Sequence, residues 1–126
     1  MHEKTNAYLD NNVIADVFAR QVEKQPNQYA LIDQVGALTY AALDAFAHRL
    51  ASQFPHPAKR VGVIMDHGRA QVASILAILQ EGGCYVPAEP DFPLERIAYM
   101  MQEAAVDFVI TNTAYQANLS SVLADI

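Results

Sequence analysis

Leu79-Gln80-Glu81-Gly82-Gly83-Cys84-Tyr85-Val86-Pro87-Ala88-Glu89-Pro90-Asp91-Phe92-Pro93-Leu94-Glu95-Arg96-Ile97 is the stretch whose reading decides the fold. It begins as the end of an apolar helix. The glycine pair stops that helix, one glycine supplying the left-handed backbone of a C-terminal cap. Cys84-Tyr85-Val86 reads as a short buried strand, and Pro87 and Pro90 end its pairing. Pro93 is expected in the first turn of a new helix, with Glu95 near its positive end. Helix, strand, turn and helix within so few residues is the signature of alternating α/β structure.

The same alternation continues on both sides. Downstream, Leu94, Ile97, Ala98, Met101 and Ala105 form a helical stripe, and Val106-Asp107-Phe108-Val109-Ile110-Thr111 reads as another apolar strand. A last helix is expected from about Ala114, with Tyr115, Leu119, Val122 and Leu123 on its apolar face, and the chain is expected to end inside it. Upstream, Val61-Gly62-Val63-Ile64-Met65 is a continuous apolar run, as in a strand covered on both faces. Asp66-His67-Gly68 turns the chain into a helix over residues 69–81, with Asp66 or His67 expected near its N-cap. That helix is apolar almost all round, so it belongs between a sheet and other elements.

The first third differs. Val13, Ile14, Val17, Phe18 and Val22 give an amphipathic helix over residues 13–24, closed by Pro26. Tyr29-Ala30-Leu31-Ile32-Asp33 and Leu38-Thr39-Tyr40 then pair as a hairpin around Gly36. Thr39 is placed to N-cap a helix carrying Tyr40, Leu43, Phe46, Leu50 and Phe54, which Pro55-His56-Pro57 stops. The fold class is therefore α/β: an N-terminal hairpin followed by a β-α-β-α-β-α unit, its parallel sheet covered by helices.

Composition bounds the chemistry. At 126 residues the chain reads as one domain, and its net charge of −6 argues against a nucleic-acid partner. Lys59-Arg60, the only adjacent basic pair, reads as a solvated loop. The hydrophobic fraction of 52% is high enough to suggest surface meant to be covered. The single cysteine, Cys84, excludes an intrachain disulfide and a cysteine-based zinc site, and in a buried strand it would be an inert hydrophobe. No signal-peptide pattern follows Met1-His2-Glu3, and no apolar run nears the ~20 residues of a membrane helix. No membrane partner and a cytoplasmic compartment are expected.

Candidate chemistry is sparse. A phosphate loop needs several glycines with a Lys and a Ser or Thr opening a helix, whereas Gly82-Gly83 closes one. Asp66-His67-Gly68-Arg69 follows a strand where α/β proteins bind ligands, and it also fits a plain strand-to-helix turn. His48 has no second ligand one helical turn away. Glu89, Asp91 and Glu95 could do acid–base work, but a helix start is sufficient reason for acids there.

The segment quoted above resembles a motif of the adenylate-forming (AMP-binding) enzymes, most closely the amino-acid adenylation domains of nonribosomal peptide synthetases. Leu38-Thr39-Tyr40-Ala41-Ala42-Leu43 resembles the family's first signature. Gly82, Gly83, Tyr85, Val86, Pro87, Pro90, Pro93, Glu95 and Arg96 belong to the second. Ala42 stands where the family usually has Glu, so the reciprocal capping box with Thr39 is absent. Glu89 stands where Asp is usual.

The resemblance implies a parent that uses ATP and magnesium to make aminoacyl-AMP, then passes the acyl group to a phosphopantetheine carrier protein. It implies that residues 1–12 form a flexible N-terminus and 13–126 a partial N-terminal subdomain, truncated before the phosphate-binding loop. On that reading these signature residues are structural, none is catalytic, and this chain binds no cofactor of its own. Its partner would be the remainder of the adenylation domain. A stand-alone module that self-associates or binds another protein is the alternative, and a small α/β nucleotide binder a weaker one.

Overall fold

The computed structural model describes residues 11–124 and 126. The expected flexible segment lies outside the described residues up to position 10. Helix α1 (Asn11–Lys24) leads into strands β1 (Tyr29–Ile32) and β2 (Ala37–Thr39), then helix α2 (Tyr40–Ser52). After them come β3 (Arg60–Ile64), α3 (Arg69–Gln80), β4 (Cys84–Pro87), α4 (Leu94–Glu103), β5 (Phe108–Thr111) and α5 (Thr113–Val122). β1 and β2 form an antiparallel hairpin, and β3, β4 and β5 form a separate parallel sheet in the order β4-β3-β5.

Side-chain alternation along β3 sets the layers. Val61, Val63 and Met65 pack with Ile78 of α3 on one face. Ile64 packs with Ile97 and Met101 of α4 and Leu119 of α5 on the other. α3 also buries Ala73, Leu76 and Ala77 against Leu43 and Ala47 of α2, with Phe18 of α1 and Leu31 and Leu38 of the hairpin around them. An apolar face on both sides explains the all-round apolar sequence of α3. Each fully buried Leu, Ile or Met here contributes roughly 1.5–3 kcal/mol by leaving water.

The glycine pair ends α3 in a Schellman motif. Gly82 has φ +80°, its N–H donates to the Leu79 carbonyl (3.0 Å), and the Gly83 N–H donates to the Ile78 carbonyl (2.9 Å). α4 ends in the same way on a non-glycine residue. Ala105 has φ +52°, with Ala105 N–H donating to the Gln102 carbonyl (3.0 Å) and Val106 N–H to the Met101 carbonyl (3.2 Å). Ala105 therefore sits beyond the helix, exposed, and not on its apolar face as the stripe predicted. Left-handed backbone costs an alanine about 1 kcal/mol more than a glycine. Ala105→Gly is expected to raise unfolding stability by about 0.5–1 kcal/mol, measured by urea denaturation; a decrease would show that this φ carries no strain.

Four further expectations need correction. Cys84 and Tyr85 are exposed, not buried, because among the described residues β4 is an edge strand paired only with β3. Pro87 does not precede the end of pairing but takes part in it, aligned with Val63. Pro93 is the N-cap of α4 and not a residue of its first turn, with φ −53° and ψ 139°. α5 ends at Val122, and Leu123 is its C-cap, so the helix stops short of the last residue.

Candidate functional site

Open α/β sheets bind ligands beyond the carboxyl ends of their strands, so the loops after β3, β4 and β5 form the first place to look. Asp66 and His67 follow β3, Glu89 follows β4, and Asn112 follows β5. These groups are engaged with one another. The Asp66 backbone N–H donates to Asn112 Oδ1 (2.9 Å), and the Tyr115 hydroxyl donates to the Asp66 carboxylate. Thr111 Oγ1 donates to the Ile64 carbonyl (2.6 Å), and His67 Nε2 faces Glu89 Oε1 at 3.2 Å. The bond to Asp66, with burial and the charges of Asp66 and Asp91, raises the Tyr115 pKa. The phenol is therefore a donor at neutral pH and not a base.

The N-terminus of α3 is capped from a distance. Its N-cap is Gly68, which has no side chain to offer, and neither Asp66 nor His67 takes that role. Asp33, at the hairpin turn, supplies the acceptor instead. Its Oδ2 accepts from the Arg69 backbone N–H (3.0 Å) and Nε (2.9 Å), and its Oδ1 from Arg69 Nη2 (2.8 Å). Oδ1 also accepts from the Val35 and Gly36 N–H groups, which fixes the turn. The guanidinium bonds hold the Asp33 carboxyl far below the usual carboxylate range.

That shift predicts a pH dependence. A carboxyl with a depressed folded pKa stabilises fully above its unfolded value near 4, and the contribution fades as pH falls toward the folded pKa. Asp33→Asn should lower the urea midpoint at pH 7, and the gap to wild type should narrow steadily below about pH 4 as pH falls toward the folded pKa. A constant gap across that range would show that charge is not what the aspartate contributes.

Arg69 is thus committed to Asp33, and the rim carries the carboxylates of Asp66 and Glu89. Phosphate recognition needs free cationic or clustered N–H donors, so this rim does not fit an anion. Among the described residues, no group of three or more His, Cys, Asp or Glu is placed to hold a metal ion.

The signature residues form two separate groups. Thr39 caps α2, its Oγ1 accepting from the Ala42 N–H (3.2 Å), while Leu43 is buried and the Tyr40 ring lies 6.0 Å from that of Phe18. Leu38 packs on the same cluster. Gly82, Gly83, Tyr85, Val86 and Pro87 run from the end of α3 through β4, and Pro90 lies in the turn that follows. Pro93, Glu95 and Arg96 open α4, where the Arg96 guanidinium lies 4.3 Å from the Phe92 ring centre. The exposed Lys59-Arg60 pair also has a local role: both backbone N–H groups donate to Asp107 Oδ2, at 3.1 and 3.0 Å. Those bonds, led by the one from Arg60, lower the Asp107 pKa. His48 is exposed and its Nδ1 lies 2.8 Å from the Asp44 carbonyl oxygen.

A groove of about 500 Å³ lies elsewhere, along β5. Leu50 and Phe54 line one wall, Leu119 and Leu123 the other.

The sequence pattern of the family described as AMP-binding enzyme matches residues 18–125. The chain belongs to the AMP-binding enzyme family. Tyrocidine synthase 3 of Brevibacillus parabrevis is 36% identical over 109 residues, which is 83% of this chain and 2% of that protein. The nonribosomal peptide synthetase FmoA3, solved with α-methyl-L-serine-AMP bound, superposes at TM-score 0.74 with 28% identity, covering 83% of this chain and 12% of that one. A benzoate CoA ligase from Burkholderia xenovorans LB400 gives a TM-score of 0.78 at 27% identity, over 89% of this chain and 24% of the ligase. This AMP-binding chain therefore spans a small part of the length of the relatives it matches. No helix of the described residues is long and apolar enough to cross a membrane.

Proposed function

We propose that this chain serves an amino-acid-adenylating enzyme as structural support within the N-terminal region of the adenylation domain. In that reaction an amino-acid carboxylate attacks the α-phosphorus of ATP, giving aminoacyl-AMP and releasing pyrophosphate. The thiol of a carrier protein's phosphopantetheine then displaces AMP to form a thioester. The observation that carries this reading is the 36% identity over 109 residues with tyrocidine synthase 3. The polar groups at the sheet end support a scaffold role, because they bond to each other. ATP, magnesium and the amino acid would be held by the rest of such a domain, and the signature residues here would shape the support.

Purified residues 1–126 are expected to show no amino-acid-dependent exchange of pyrophosphate into ATP. The chain grafted in place of the matching segment of tyrocidine synthase 3 should give a chimera with exchange activity. Exchange by the isolated chain, or a folded chimera inert toward every amino acid tried, would overturn the reading. The groove along β5 favours a second reading, a module that binds another protein or itself. A monodisperse monomer by light scattering at high concentration would count against self-association.

A further inference from the structure

We draw no further inference here: the strongest candidate, the groove along β5 between Leu50 and Phe54 on one wall and Leu119 and Leu123 on the other, carries nothing because nothing in the structure shows what covers it.

Discussion

Gly83→Ala is expected to remove about 3–4 kcal/mol of stability, a large part of the roughly 5–15 kcal/mol that holds a domain of this kind. The cause is space. A β-carbon on Gly83 would lie 1.9 Å from the Ala58 carbonyl oxygen, 2.9 Å from its carbon and 3.1 Å from Ile78 Cγ2. Its two nearest contacts are backbone, so no side-chain rotation relieves it. The backbone around it is held on both sides, by the Gly83 N–H on the Ile78 carbonyl at 2.9 Å and the Cys84 N–H on the Lys59 carbonyl at 2.8 Å. Relaxation must break one of them, separating the end of α3 from the start of β3. Gly82→Ala is the matched control. Its φ of +80° disfavours alanine, but nothing lies within 4 Å of the added carbon, so the expected loss is about 1 kcal/mol. Urea denaturation of both variants decides. Equal losses would mean that capping geometry, and not the approach of Ala58, is what the pair supplies.

The pair also shows what a sequence can disclose. Adjacent glycines after an apolar helix announce a cap, and the structure places that cap at Gly82. Nothing local says that the second glycine meets Ala58, because that contact is made by a distant segment. The same division runs through the fold. The Thr39 cap, the Gly36 turn and the α/β alternation depend on neighbours in sequence, and all were legible. The exposure of Cys84 and Tyr85 was not, since an apolar triplet reads alike in a central strand and at an edge. The strand order β4-β3-β5 decides between them, and no periodicity encodes it. The cap of α3 was misplaced for a related reason. Asp66 is a capping type but lies two residues before the N-cap Gly68, and Asp33 takes the role through the folded hairpin. At the sheet end, Asn112 and Tyr115 gave no signal as partners of Asp66, because helical spacing placed Tyr115 only on an apolar face and nothing near Asn112 in sequence marks it. Family resemblance was legible because it rests on short motifs, whose residues lie in a helix cap, a strand and a turn.

Gly62→Ala should cost about 2–3 kcal/mol, and here the obstacle is a side chain that can be removed. The added carbon would lie 2.6 Å from Met101 Sδ and 3.0 Å from Val109 Cγ2. Gly62 faces α4 from the middle of β3, and Met101 is fully buried, so its sulfur has nowhere to swing. Met101→Ala alone opens a cavity and should cost about 2–5 kcal/mol. Combined, each change corrects the other, since the new methyl occupies space that the sulfur vacates. The double variant should therefore be more stable than the sum of the single losses allows, by about 1 kcal/mol or more. Additive losses would show that α4 shifts as a whole to admit the alanine. Non-additivity would show that Gly62 sets how closely α4 approaches the sheet. That distance positions Pro93, Glu95 and Arg96, the helix-opening part of the second signature, relative to the strand it follows. A glycine outside both motifs would then govern the geometry that one of them presents.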